Sequence, residues 1–345
     1  MAKLIAIGEA LIDFMPLETG VDLADVSCFE KAPGGAPSNV AACAARLGTQ
    51  AMVITKLGVD GFGDFLVKAL RDSGVDVSAV VRTKEAPTGL AFVSLKADGE
   101  REFLFYRSPS ADMLLRWDEV SDTWFKEGDV LHFCSVALGA QQMRDTHRMA
   151  TRVAAERGMF ISFDVNLRFP LWPDKEELRK TVFEFIPGVD LLKTGAEELL
   201  FLSGGSPNES KPGSLRPMSQ SGGELRAYVE RMLEITPALL VTYGSNGAEL
   251  FLRSKPGSAG RSIFHKGYDT PAVDTTGAGD AFVGSFLASI IDSGARELSL
   301  FSDKELLDML ERAHATASLV VAKKGAINSM PDLQQVNRFM FENIL

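Results

Sequence analysis

A phosphoryl group in transfer needs convergent donors, and the hydroxyl that attacks it needs a base. The segment VDTTGAGDAFVGSF, Val273 to Phe286, carries residue types for both: three glycines, two threonines and two aspartates, followed at once by an apolar helical pattern. Small residues at a helix start let backbone N–H groups converge on an anion, and the helix dipole adds favourable potential there. Gly277, Ala278 and Gly279 therefore read as a phosphate cradle, with Asp280 in the first helical turn as a candidate general base. An isolated aspartate at that place would be only a helix-start residue favoured by the dipole, but capping needs neither the packed glycines nor the Asp274-Thr275-Thr276 lead-in. Asp274 and Thr276 offer oxygen ligands of the kind a hard cation prefers, and closing the turn by side-chain to backbone bonding would use the same atoms. The Walker pattern G-x-x-x-x-G-K-[ST] is absent from the chain, and the spacing from Gly277 does not fit G-x-G-x-x-G. The cradle is of another kind.

Positioning these groups falls to a βαβ rhythm that runs from end to end. DVLHFCSV, Gln141 to Arg157, MFISFDV, Lys175 to Phe185 and DLLKTG alternate short apolar runs with amphipathic stretches, which predicts a parallel sheet covered by helices. A helix is predicted from Pro37 or Ser38 through NVAACAARL to Gly48, its amino end facing whatever Gly34 and Gly35 approach. TGLAFVSLKADGEREFLFYR, Thr88 to Arg107, breaks the rhythm and alternates like a hairpin around Ala-Asp-Gly-Glu. With strands drawn from about residues 15–30 it would form a small sheet projecting from the body. Ser203 to Gly223 is rich in turn formers and reads as a surface connection within one domain spanning 1–345.

With 345 residues and 46% hydrophobic content, the chain can bury a large core. A net charge of −10 without any basic run argues against a nucleic-acid or anionic-membrane surface. The apolar amino-terminal run is interrupted by Glu9 and Asp13, and no segment reaches spanning length, so a soluble cytoplasmic protein is expected. Cys28, Cys43 and Cys134 have no C-x-x-C spacing and read as reduced thiols in or near the core. The four histidines have no zinc-ligand spacing.

DTTGAGDAFVGSF resembles the carboxy-terminal signature of the ribokinase-like (PfkB-type) carbohydrate kinases, and GGAPSNVAACAARLG resembles their amino-terminal one. GEALID, KLGVDGFGDFL, FDVNLR, VTYGSNGA and KKGAINSMP follow the family's order, so the resemblance covers essentially the whole chain. It implies a three-layer α/β/α fold with a mostly parallel sheet of nine or so strands and a small β lid, the sugar lying between lid and body. In that pattern Asp280 matches the catalytic base, and Gly277, Ala278 and Gly279 the anion hole for the γ-phosphoryl group of ATP. Asp13 matches the carboxylate that grips sugar hydroxyls, with Gly34, Gly35 and Asn39 beside it. Lys193, Thr242, Gly244, Gly247 and His314 fall where the nucleotide binds, His314 as a pocket wall in place of the more usual asparagine. Glu198 matches the group that organises Mg²⁺ through water, while Gly195 stands where the family's N-x-x-E element has asparagine. Asp274, Thr276, Gly325 and Ser329 match loops where such enzymes often bind K⁺.

FLFYRSPSADMLL and FDVNLR look most like fructokinases, which implies Tyr106 and Arg107 on the lid facing the sugar and Arg168 reaching the cleft from a core strand. Similar arginines serve 2-keto-3-deoxygluconate kinases, so that sugar acid is the alternative substrate. A non-catalytic sugar sensor on the same fold is a third reading, opposed by the intact Asp280 and glycine cradle. The resemblance also admits a homodimer formed through the lid sheet.

Overall fold

Runs such as LIAI, AMVITKLG and VLHFC have no polar face, so each must be covered on both sides. The computed structural model describes residues 2–18, 20–95, 101–205, 215, 217, 224–253, 260–294 and 297–343. The chain opens with strands β1 (Leu4–Ile7), β2 (Leu11–Pro16) and β3 (Phe29–Gly34), helix α1 (Ala36–Arg46), strand β4 (Ala51–Gly58), helix α2 (Gly61–Asp72) and strands β5 (Val80–Thr83), β6 (Leu90–Leu95) and β7 (Arg101–Tyr106). It continues through β8 (Val130–Cys134), α3 (Gln141–Glu156), β9 (Phe160–Asp164), α4 (Lys175–Phe185), β10 (Leu191–Gly195), α5 (Ala196–Leu202), α6 (Glu224–Ile235) and β11 (Ala238–Thr242). Then come β12 (Ala248–Leu252), β13 (Arg261–His265), α7 (Ala278–Ser293), α8 (Asp303–Val321) and α9 (Leu333–Glu342).

The main sheet runs β13-β12-β11-β10-β9-β8-β1-β4-β5, parallel from β11 to β5 with an antiparallel hairpin, β12 and β13, at one edge. Alternate residues of β1 feed two different cores. Leu4 and Ala6 pack with α1, α7 and α8, whereas Ile5 and Ile7 pack with α3, α4 and the elements on that side. The period-2 alternation of an all-apolar strand thus builds a three-layer fold, as the sequence implies. From β1 the chain turns to β4 and β5 on one side and returns to place β8 on the other. A parallel sheet opens a crevice at the carboxy ends of the strands flanking such a reversal, and the polar groups collect there. No helix among the described residues is long and apolar enough to cross a membrane.

The second sheet, β3-β2-β6-β7, is the projecting lid, but its first two strands are not drawn from residues 15–30 as a block. Strands β2 and β3 enter that stretch only at its two ends, and between them the described residues include one turn of 3-10 helix at Leu23–Asp25. Alternating LIDFMP and FEKAPG carry the strand pattern, and Gly20, Asp22 and Asp25 between them favour turns. The predicted turn Ala97 to Glu100 lies outside the described residues, as does most of Ser203 to Gly223. Cys43 and Cys134 are buried, but Cys28 is exposed on the lid connection rather than in the core.

Candidate active site

Helices α1 and α7 pack side by side because Gly284 leaves no side chain between them. A Cβ there would lie 2.7 Å from Cys43 Cβ and 2.8 Å from the Val40 carbonyl oxygen. Their amino ends consequently open into one crevice, each with a positive dipole end. Gly277 precedes α7 with φ 77°, and a Cβ on it would come within 2.7 Å of Ala326 Cβ, so only glycine fits the turn. Pro37 occupies the first turn of α1, where its missing N–H is harmless.

The crevice holds a cavity of about 180 Å³ whose walls include Asp13, Asn39, Arg168, Lys193, Gly279 and Asp280. Asn39, on the first turn of α1, donates from Nδ2 to Asp280 Oδ2 at 2.7 Å and so fixes the carboxylate on the first turn of α7. Asp13 enters from β2 of the lid. A Cβ on Gly34, beside it on β3, would fall 2.0 Å from Asp13 Oδ2, so the glycine makes the room that this carboxylate occupies. Burial pushes Asp13 up to about 7, with the Asp280 charge adding to the effect and the Arg168 guanidinium opposing it. Burial also raises Asp280, held in check by the Asn39 hydrogen bond and by Arg168 and Lys193. Lys193 Nζ lies 3.1 Å from Asp164 Oδ1; burial raises that carboxyl and the ammonium pulls it back.

Three further groups on the cavity wall have no role in the sequence reading. Glu9, 1% exposed, accepts from the Ala36 amide at the start of α1 at 3.0 Å, and burial pushes it up to about 7 against the Arg107 charge. Asn166 sits at φ 36°, and Phe105 projects from the lid. GEALID and FDVNLR contain two of them, and the available signal was a polar residue just past a buried strand.

Residues 1–333 match the model of the pfkB family of carbohydrate kinases. The chain belongs to that family. It is 40% identical over 340 residues to probable fructokinase-4 of Arabidopsis thaliana, covering 99% of this chain and 97% of that one. Among solved structures it is similar to ATP-bound fructokinase from Xylella fastidiosa, with TM-score 0.83 and 30% identity over 99% of this chain and 98% of the other. A double mutant of the Vibrio cholerae O395 fructokinase, in its fructose-, ADP- and potassium-bound form, gives TM-score 0.81 and 30% identity over 99% and 98% of the two chains. This pfkB protein is an ATP-dependent sugar kinase.

Other residues singled out in the sequence of this sugar kinase fall into three groups. Thr242, Gly244, Gly247 and His314 lie outside the cavity, around the end of β11 and the neighbouring face of α8. His314 packs its ring 4.9 Å from Phe282 and 5.0 Å from His265, and burial drives it down to about 3, so it is a neutral wall. Glu198 accepts the amides of Leu167 and Gly195, each at 2.7 Å, tying the end of β10 to the FDVNLR loop. In the third group, Asp274 accepts from Thr276 N at 2.9 Å and from Gly325 N at 2.9 Å, while Ser329 Oγ donates to the Gly325 carbonyl at 2.5 Å. These hydrogen bonds bring together all four residues that the resemblance assigns to a cation.

Two lid assignments need correction. Register pairs Leu90 with Tyr106 and Ala91 with Phe105, so Phe105 shares the cleft face with Asp13 and Val93, and Tyr106 points the other way. Tyr106 is 60% exposed and packs edge-on against Phe92 on the outer face. Arg107 does not face the sugar either. It is 5% exposed and forms a buried ion pair with Asp112 at the root of the lid.

Proposed function

We propose that the protein is a cytoplasmic fructokinase, transferring the γ-phosphoryl group of ATP to the terminal primary hydroxyl of fructose to give fructose 6-phosphate. The observation that carries this reading is the meeting of Asp13, Asn39 and Asp280 in one cavity at two helix amino ends. Asp280 takes the proton of the attacking hydroxyl, and that oxygen forms its bond to phosphorus as the bond to the ADP oxygen breaks. Gly277 and Gly279, on the cavity wall, present backbone amides to the transferring group, while the Ala278 amide bonds the Thr275 carbonyl at 3.3 Å, and Lys193 adds a buried positive charge beside them. Asp13 and Arg168 hold the sugar, and closure of the lid carrying Val93 and Phe105 excludes water.

The carboxylate of Glu198 suits the water shell of Mg²⁺, since Oε1 bonds only the Leu167 amide and keeps a lone pair, while Oε2 accepts from the Gly195 amide and the Thr194 hydroxyl. When bound, that ion neutralises phosphate charge. Asp274, Thr276, Gly325 and Ser329 form an all-oxygen set suited to K⁺, whose charge would steady the loop before α7. Thr242, Gly244, Gly247 and His314 would shape the adenine side.

Fructose is favoured over 2-keto-3-deoxygluconate by the charges on the wall: Glu9, Asp13, Asp164 and Asp280 stand against Arg168 and Lys193, and Lys193 already pairs with Asp164. Carboxylates accept from hydroxyls, whereas a substrate carboxylate would meet like charge. A panel of fructose, 2-keto-3-deoxygluconate, ribose, tagatose and adenosine with MgATP, followed by coupled ADP release, tests the reading. Fructose should show the highest kcat/KM, and a higher value for the keto acid would overturn it. On the outer lid face, exposed Leu104 and Tyr106 lie over a cluster of Phe14, Phe29 and Phe92, which supports a homodimer through this sheet. Sedimentation of the purified chain at the mass of a monomer would remove that proposal.

A further inference from the structure

A sugar acid needs a cation able to meet its carboxylate, and this chain has a third candidate beside Arg168 and Lys193. Arg107 stands where β7 leaves the lid, behind Glu9, whose carboxyl lines the cavity and feels the Arg107 charge. The guanidinium is kept from the cleft by Asp112, itself 1% exposed. Asp112 is locked in turn: Ser110 Oγ donates to its Oδ1 at 2.5 Å, and a Cβ on Gly89 would sit 3.0 Å from that oxygen and 3.3 Å from Arg107 Cγ. The pairing leaves one buried donor unmet, since Arg107 Nε has no hydrogen-bond partner.

We propose that Asp112 is a specificity-determining residue: by pairing with Arg107 at the lid root, it withholds a cation from the cleft, so the site takes a neutral ketose and refuses a sugar acid. The proposal rests on the fructose reading and deepens it. A carboxylate entering the wild-type cleft finds Arg168 already shared with Asp13 and Asp280, both of which feel its charge. Without a further free cation its desolvation is not offset. Removing the Asp112 charge leaves Glu9, on the cavity wall, as the carboxylate whose charge Arg107 feels. An ion pair that merely braces the lid would behave differently, because weakening it would impair every sugar to the same extent.

Asp112→Asn keeps the side-chain shape and an acceptor for Ser110. The measurement is kcat/KM for fructose and for 2-keto-3-deoxygluconate on wild type, Asp112→Asn and the double variant Asp112→Asn with Arg107→Gln. The ratio of keto acid to fructose should rise at least about tenfold in Asp112→Asn and return toward the wild-type value when Arg107 is also removed. An unchanged ratio, with both substrates falling together, overturns the proposal. So does a rise that persists in the double variant. If turnover is lost altogether, calorimetric binding of the two sugars to the same three proteins in the presence of a non-hydrolysable ATP analogue gives the ratio, with the same expected and overturning results. Wild type that does not use fructose overturns the fructose reading on its own evidence, whereas an unmoved ratio in a fructose-using enzyme removes only the role of Asp112.

Discussion

Gly34→Ala is the most direct test of the carboxylate proposed to grip the sugar. Gly34 does not require left-handed backbone, so alanine is tolerated by the chain and the perturbation is confined to space. The added methyl would fall 2.0 Å from Asp13 Oδ2 and 2.8 Å from its Cγ, whereas an ordinary contact begins near 3.4 Å. The carboxylate must therefore retreat by about 1.4 Å along the line to Oδ2. Because the obstructed atom is the end of a side chain, the sheet can stay in place, with a stability loss of about 1 to 3 kcal/mol. Reaction geometry is less forgiving: a misplacement near 1 Å costs about 10²-fold, or roughly 2.7 kcal/mol in the barrier. We expect kcat/KM for fructose to fall about 10²-fold, with the KM for MgATP unchanged and the circular dichroism spectrum intact. Gly61→Ala is the control, since nothing lies within 4 Å of a Cβ there. A folded Gly34→Ala enzyme with wild-type kcat/KM would refute the placement of Asp13 or its role in holding the sugar.

Three shorter expectations rest on the same cleft. Asp280→Asn should keep the contact region of Asn39 and the fold but lower kcat by about 10²-fold to 10⁴-fold; near-normal turnover in a folded variant would exclude it as the base. For pH, Asp13 is pushed up to about 7 and Asp280 is raised, both chiefly by burial, and each must be ionised to act. Protonation therefore removes activity as pH falls, and the acid limb of kcat/KM should lie near 7 rather than near 4; a profile flat from pH 8 to pH 5 would contradict it. With Asp274→Ala, the hydrogen bonds that join Thr276 and Gly325 through the carboxylate are lost. Wild type should run faster in K⁺ than in Na⁺ at equal ionic strength, the variant should be slower and indifferent to the ion, and equal wild-type rates in both salts would remove K⁺.

Much of this was legible because two kinds of signal in the sequence are local. The three-layer fold follows from apolar strands alternating with amphipathic helices, and α1 and α4 run close to where proline, glycine and the 3.6-residue pattern place them. The candidate cradle could be read because Gly277, Ala278, Gly279 and Asp280 are consecutive, so one helix start carries the proposed donors and the proposed base. The lid was harder. Its face depends on register, and a one-residue error moves every side chain across the sheet, which is how Tyr106 was set in the cleft in place of Phe105. Arg107 was misplaced for a different reason. Sequence shows an arginine after a strand but not the Asp112 that claims it, since only the fold, with Gly89 closing over the pair, brings the two together in a buried setting.

Glu9 shows what lies between these cases. Its type and its place after β1 are plain in the sequence, yet its partners come from far along the chain: the Ala36 amide of α1, the Cys134 thiol at 3.7 Å and the Arg107 charge. A buried acid pushed up to about 7 in such company joins the lid root to the start of the helix that carries Asn39, and Asn39 in turn fixes Asp280. The selection proposed at Asp112 and the proton removal proposed at Asp280 are therefore mechanically adjacent, although the two residues lie 168 positions apart. On that arrangement, exchange of a single charge at Asp112 is expected to act on the sugar and leave the cradle in place, so kcat/KM ratios between substrates, rather than rates on one sugar, are the informative readout.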